Sequence, residues 1–320
     1  MIDRELVRRQ LSHTLSRTSF PALGEPRRGK VRDVYASGDR LILITTDRLS
    51  AFDQVLTTLP FKGQLLNQLA AFWFEKTKDV AESHLLEVPD PNVLVGRRCH
   101  PLPVEVVVRG HLTGSLWRDY EAGRANQAYG ISLPPGLRKD AELETAIITP
   151  STKAEEGAHD APLSEQALLA QGLVTEPTWQ EVRRLALALF ERGRSWSRSR
   201  GLILVDTKYE FGLDQSRGGR VLLIDEIHTP DSSRYWMAEG SSERQRRGEA
   251  QQMLDKENLR QWLLERSFSG HGTPPAIPDE VRVQLAMTYI EAYERITGET
   301  PRLEVGNVEE RIGKALKKYQ

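Results

Sequence analysis

A chain of 320 residues, 39% of them hydrophobic, is long enough for one large or two smaller packed units with a substantial core. Lys and Arg number 44 against 45 Asp and Glu, so a net charge of −1 gives no global bias toward nucleic acid or membrane, and charge-based recognition must be local. Cys99 is the single cysteine, which excludes an intrachain disulfide and fits a reducing cytoplasm; the charged opening MIDRELVRRQL lacks the apolar run of a signal peptide, no stretch has the apolar length of a membrane span, and the seven histidines lack zinc-ligand spacing.

The first hundred residues are strand-rich. In KVRDVYASGDRLILITTDRLSAF (30–52) two β-favouring runs flank the turn signal ASGD, which predicts a hairpin. A helix follows over 64–79, where Leu65, Leu69, Phe72 and Trp73 recur at helical spacing, and then a proline-flanked strand, LPVEVVVRG (102–110). The turn-rich, charged stretch 130–162 reads as a long loop. A helix over 178–200 is expected next, with Thr178 and Glu181 as a capping box and Val182, Leu185, Ala186, Leu189 and Phe190 as its apolar face. Two further amphipathic helices are expected near 255–266 and 279–297.

Between these helices lie two apolar strands that end in acids. GLILVDTKYEFG (201–212) carries Asp206, Lys208 and Glu210 at every second position, so the three share one face. VLLIDEIHTPDSSRYW (221–236) follows a Gly-rich turn, and an antiparallel hairpin would face Asp225 toward the Asp206–Glu210 stretch. Carboxylates converging on one sheet face repel unless a cation sits among them, and magnesium commonly joins carboxylates to nucleotide phosphates. The plain alternatives are strand ends reaching solvent, or an ion pair with Lys208. Within RRGKVRDVY (27–35), Gly29 permits close backbone approach, Lys30 offers a point charge for a phosphate, and Arg32 lies nearby; no Walker loop or complete G-x-G-x-x-G is present. The alternatives here are a solvated basic turn or an RNA-binding patch, though no aromatic recognition motif accompanies the basic residues. A phosphate-covering hairpin with metal-holding acids on another lobe is the arrangement of kinase-like and ATP-grasp enzymes. The expected fold is therefore a mixed α+β, two-lobed one, with a strand-rich lobe (1–108), a hinge near 106–110 and a larger α/β lobe (109–320).

LPVEVVVRGHLTGS (102–115) and LVDTKYEFG (204–212) resemble the two characteristic motifs of the SAICAR synthetase family of purine biosynthesis. GKVRDVY (29–35), TTDRLSAFD (45–53), TPSTKAEEGAHD (149–160) and DEIHTPDSSRYW (225–236) are similar to further family blocks in the expected order, and the length and the 149–160 block resemble the longer, yeast-like form. The resemblance implies an ATP-dependent ligase joining L-aspartate to the carboxylate of the aminoimidazole ribonucleotide CAIR, through an acyl phosphate. It also implies small-molecule partners only, with no nucleic acid or membrane, in a cytoplasmic monomer or small homo-oligomer. On the same grounds Glu210 and Asp225 are the expected magnesium ligands, with Asp206 and Lys208 supporting, and Gly29, Lys30 and Arg32 lie over the ATP phosphates. The strand 105–109, including Val106 and Val108, would receive adenine on its backbone. Arg109, Gly114, Ser115 and Arg234 match CAIR-holding positions, and Thr149, Ser151, Thr152, Lys153, His159 and Asp160 surround the nucleotide substrate or aspartate. Lys208, Asp225 and Arg234 stand nearest the chemistry; Asp225 and Asp160 are candidates for the base that deprotonates aspartate. Another carboxylate–amine ligase would keep the phosphate and metal residues but change 109–115 and 149–160, and a non-catalytic nucleotide-binding module would need neither Glu210 nor Asp225.

Overall fold

The computed structural model describes residues 2–52, 54–153, 161–254 and 257–319. The chain opens with helix α1 (Arg4–Arg9), strands β1 (Arg27–Arg28), β2 (Arg32–Ser37), β3 (Arg40–Thr45), β4 (Arg48–Ala51) and β5 (Gln54–Thr58), and helix α2 (Lys62–Lys76). Strands β6 (Leu85–Asp90), β7 (Val93–Arg97), β8 (His100–Pro101) and β9 (Val104–His111) precede helices α3 (Gly114–Glu121) and α4 (Ala125–Tyr129), strand β10 (Glu142–Thr152), and helices α5 (Glu165–Ala170) and α6 (Glu176–Ser199). Strands β11 (Leu202–Asp214), β12 (Arg220–Ile224) and β13 (Ser233–Met237) follow, then helices α7 (Ser241–Arg247), α8 (Glu257–Leu264), α9 (Asp279–Thr297) and α10 (Val308–Ala315).

The N-terminal strands form an antiparallel sheet in the order β1-β2-β3-β7-β6. The hairpin expected at 30–52 is its β2–β3 pair, with Gly38 in the left-handed region at the turn. Alternation sends Tyr35, Ile42, Ile44, Val93 and Val95 to one face, where Val308 and Ile312 of α10 and Leu316, just past its end, cover them; Leu43 and Leu94 join the main core with Leu65, Leu69 and Trp73 of α2. The end of the chain therefore packs back onto the N-terminal sheet.

The second sheet has the order β10-β9-β11-β12, with β8 and β13 also pairing with the 13-residue strand β11. Three expectations are corrected here. The stretch 130–162 is not all loop: β10 occupies Glu142–Thr152 and pairs with β9, a partner its weak periodicity did not betray. Helix α6 starts at Glu176 with Pro177 in its first turn and Thr175 as N-cap, so Thr178 lies inside the helix rather than capping it. Nor is 221–236 one strand: β12 pairs with the distal half of β11, and β13 returns along its proximal half. The antiparallel β11–β12 pair sets Ile224 opposite Glu210, so Asp225 does face the Glu210 end of the Asp206–Glu210 stretch, while Asp206 stands opposite Arg234 in β13.

Candidate active site

The register of the second sheet determines which side chains meet. Asp206 lies opposite Arg109 and Lys208 opposite Val107, while across β9 Ile147 faces Arg109, Thr149 faces Val107 and Ser151 faces Glu105. Cross-strand partners share a face, so one surface carries Thr149 and Ser151, Glu105 and Arg109, and Asp206, Lys208 and Glu210. The opposite surface carries Val104, Val106, Val108 and Tyr209, buried in the core with Val182, Leu185, Leu189 and Phe190 of α6. The apolar back of these strands binds them to the helix, and the polar front is left for chemistry.

At one end of that front, Lys208 Nζ donates to Glu105 Oε1 at 2.5 Å and to Glu210 Oε1 at 3.0 Å, and Lys153 Nζ donates to Glu210 Oε2. Burial alone would raise the Glu210 carboxyl, but the charges of Lys208 and Lys153 outweigh it and hold the group down at about 2. Asp225 follows β12 with a left-handed backbone (φ 66°) and accepts from Arg32 Nη1 at 2.7 Å, while Arg32 Nη2 lies 3.2 Å from Glu226 Oε2. Burial raises the Asp225 carboxyl to about 6; Arg32 opposes this, and the nearby Glu210 and Glu226 reinforce it. Two carboxylates, Glu210 and Asp225, thus sit within electrostatic reach of each other, each neutralised by its own cations.

At the other end, Arg109 is buried and fans out to three partners: Nε donates to Thr149 Oγ1 at 2.7 Å, Nη2 to Ser115 Oγ at 3.0 Å, and Nη1 lies 3.5 Å from Asp206 Oδ2. Burial lowers the Arg109 pKa, with Asp206 opposing. Arg234 Nη1 donates to the same Asp206 oxygen. Gly114, at φ 59°, lets the start of α3 pass so close that an added Cβ would lie 2.6 Å from Arg234 Nη1. Two guanidinium groups, two hydroxyls and the carboxylate between them form a compact site suited to planar oxyanions.

Other expected residues fall differently. Arg32, expected over phosphates, points inward, because two buried acids require a cation; Lys153 likewise turns to Glu210. Gly29 and Lys30 lie in the exposed turn between β1 and β2. Val106 and Val108, expected to receive adenine on their backbone, lie in β9 between β10 and β11, with Pro150, which has no N–H, opposite Val106. Thr152 pairs with Ala161 through Thr152 N to Ala161 O (2.9 Å) and Ala161 N to Thr152 Oγ1 (3.2 Å); His159 and Asp160 lie outside the described residues.

Sequence reasoning missed Glu105 and Glu226 as partners of Lys208 and Arg32. The i+2 spacing of Glu105, Val107 and Arg109 carried the first signal; nothing local marked the second. It also missed Lys62, fully buried at the start of α2, whose Nζ donates to Asp231 Oδ2 at 2.7 Å while Tyr289 Oη donates to Oδ1 at 2.6 Å. Among the described residues no three His, Cys, Asp or Glu side chains group as a metal cage, and no helix is long and apolar enough to cross a membrane.

Residues 25–275 match the family model for SAICAR synthetase. Over 296 residues the chain is 47% identical to the phosphoribosylaminoimidazole-succinocarboxamide synthase of Legionella pneumophila, covering 89% of this chain and 91% of that one. A solved SAICAR synthase from Saccharomyces cerevisiae, complexed with SAICAR, superposes with a TM-score of 0.78 at 32% identity, over 90% of this chain and 99% of that one. A type-2 SAICAR synthetase in complex with ADP superposes with a TM-score of 0.66 at 27% identity, over 87% of this chain and the whole of the other.

Proposed function

This chain belongs to the SAICAR synthetase family, whose fold is ATP-grasp-like and whose members carry out an ATP-dependent ligase step of purine biosynthesis, and on that premise we propose how its polar sheet face divides the work. The Arg109–Ser115–Arg234 end holds the anionic ribonucleotide CAIR, and the Lys208–Glu210–Asp225 end holds the ATP phosphates, with the turn at Gly29 and Lys30 of the N-terminal sheet above them and the β10-β9-β11-β12 sheet, which begins at Val104 rather than at residue 109, forming the floor. The observation that supports this reading is the strand register, by which Arg109, with Ser115 beside it, and the Lys208–Glu210 pair share one face of the sheet, backed by a buried apolar face.

Magnesium fits the donor set. Glu210 and Asp225 are two carboxylates in electrostatic contact, too few to cage a cation alone but suited to a hard ion completed by nucleotide phosphates and water. When bound there, the ion would offset the charge of the transferring phosphoryl group. The chain's own residues position and neutralise. Arg109 and Arg234 orient the imidazole carboxylate, whose oxygen takes the γ-phosphoryl group from ATP as the β–γ phosphate bond breaks. Lys208 and Lys153, released from Glu210 as the nucleotide arrives, supply positive charge to the phosphate oxygens. The aspartate amine, having lost its ammonium proton, then attacks the acyl carbon, and inorganic phosphate leaves. Ser151 and Thr152, beside Lys153 at the end of β10, donate to the aspartate carboxylates.

Purified protein with ATP and magnesium is given CAIR and L-aspartate separately and then together, with ADP release and SAICAR absorbance followed. Equal amounts of ADP and SAICAR only with both substrates establish the reading. ATP binding without product retains the nucleotide end and overturns the assignment of the oxyanion end.

A further inference from the structure

Arg48, the first residue of β4, is buried, and its guanidinium is spent on the turn that precedes β2. Nε donates to Lys30 O at 3.1 Å, Nη2 to Gly29 O at 2.9 Å and to Asp33 Oδ1 at 2.8 Å, and Nη1 to Ser16 O at 2.6 Å. Thr46, fully buried, ties down the next carbonyl: its Oγ1 and its backbone N–H donate to Val31 O at 2.8 and 2.9 Å. The fully buried Asp33 carboxylate, which also accepts from Thr18 and Arg28, balances the Arg48 charge.

Three consecutive carbonyls, at Gly29, Lys30 and Val31, are therefore drawn back toward the β3–β4 connection. A peptide unit is planar and trans, with its C=O and N–H antiparallel. Drawing the carbonyls of Gly29 and Lys30 inward turns the amide N–H groups of Lys30 and Val31 outward, on a turn that is itself exposed. Successive N–H groups presented this way form an anion-binding nest. Nothing in the turn's own composition enforces this orientation. Gly29 is outside the left-handed region, and a Cβ there would find only Arg32 O, at 3.4 Å.

We infer that Arg48 and Thr46 are positioning residues that hold the 29–31 turn in its phosphate-receiving conformation by binding its carbonyl oxygens from behind. The inference rests on the reading that this turn covers the ATP phosphates, and it adds the device that shapes it before the nucleotide arrives. A preorganised turn spares the nucleotide the cost of ordering it, so losing the tether weakens ATP binding without touching the ribonucleotide end.

The test uses full-length Lys30→Ala, Thr46→Val, Thr46→Ser and Arg48→Lys proteins, with KM for ATP, KM for CAIR, kcat and Tm measured for each. Thr46→Val and Arg48→Lys are expected to raise the KM for ATP about tenfold, with the KM for CAIR within about twofold of wild type, and Thr46→Ser to restore it. An unchanged KM for ATP in Lys30→Ala removes the turn from the phosphate site, and the inference goes with it. A raised KM for ATP in Lys30→Ala beside unchanged values in Thr46→Val and Arg48→Lys leaves the site standing and overturns the tether. Equal rises for ATP and CAIR with a lowered Tm also overturn it, since they mark a merely structural role. If Arg48→Lys does not fold, the Thr46 pair decides.

Discussion

Gly114→Ala is the sharpest probe of the oxyanion end, because it adds one methyl group and removes no charge. The backbone there has φ 59°, a region that costs an L-residue roughly 1–2 kcal/mol. The new Cβ would stand 2.6 Å from Nη1, 2.7 Å from Nη2 and 2.9 Å from Cζ of Arg234. All three atoms are the far end of a flexible side chain, so the guanidinium retreats rather than the backbone. It then loses its bond to Asp206, and with it the orientation it shares with Arg109. A charge-assisted hydrogen bond is worth about 1.5–3 kcal/mol, which, carried over to the ribonucleotide, is a weakening of about tenfold to a hundredfold. The expected result is a KM for CAIR raised in that range, a KM for ATP little changed, and a Tm lowered by a few degrees at most. Steady-state kinetics with each substrate varied in turn, beside Arg234→Ala, measures this. Gly114→Ala with wild-type KM for CAIR, or with equal losses for both substrates, would show that Arg234 does not hold the ribonucleotide.

Glu210→Gln should lower kcat by at least the ten- to hundredfold that losing an outer partner costs a metal site, and raise the magnesium concentration for half-maximal rate; wild-type turnover in a folded variant would remove Glu210 from the metal site. Lys62→Met strands a buried carboxylate on Asp231 and should cost about 3–5 kcal/mol in urea unfolding, most of it recovered when Asp231→Leu is added; a loss below about 1 kcal/mol would refute the pairing as a structural element. His228 is buried, pushed down to about 3 by burial, with Nε2 2.5 Å from Tyr209 Oη. Its neutral form therefore stabilises the fold above the ordinary imidazole value of about 6.5, and that contribution falls by about 1.4 kcal/mol per pH unit below it. His84, at about 4, has the same sign; Asp47 and Asp225, both raised to about 6 by burial, have the opposite sign over pH 4–6. The measurement is thus a difference: between pH 7 and pH 5 the wild type should lose more stability than His228→Gln, and identical losses would refute a buried neutral imidazole.

What the sequence disclosed and what it hid follow from the range of the interactions involved. Alternation along β11 placed Asp206, Lys208 and Glu210 on one face because strand periodicity is local. Helix α6 was legible from its apolar spacing, but its start was misplaced by two residues, since a plausible Thr–Glu pair lay just inside the true cap. The partners of these charges were not legible. Arg32 meets Asp225 across 193 residues and Lys208 meets Glu105 across 103, and only the assembled register brings them together. The same limit hid the second neighbour of β9: β10 lay in an apparent loop, and only the register pairs it with Val104–His111.

The pairings that displaced Arg32 and Lys153 from their expected places also bear on how the site meets its ligands. Both carboxylates proposed to bind the metal are already matched, Glu210 by Lys208 and Lys153 and Asp225 by Arg32, which also meets Glu226. Two buried bare acids would be costly, so the ligand-free protein supplies its own counterions. On the proposed reading, a nucleotide with a divalent cation would bring both signs of charge, Glu210 and Asp225 would hold the cation, and Lys208 and Lys153 would turn from carboxylate to phosphate. Binding is then an exchange of partners rather than the desolvation of isolated charges. Because Arg32 belongs to β2, directly after the phosphate-covering turn, releasing Asp225 also frees a tie between that hairpin and the floor of the site. On the proposed reading, a metal–nucleotide held at Glu210 and Asp225 would displace Arg32 from Asp225 and leave the turn, held in shape by Arg48 and Thr46, free to settle on the phosphates.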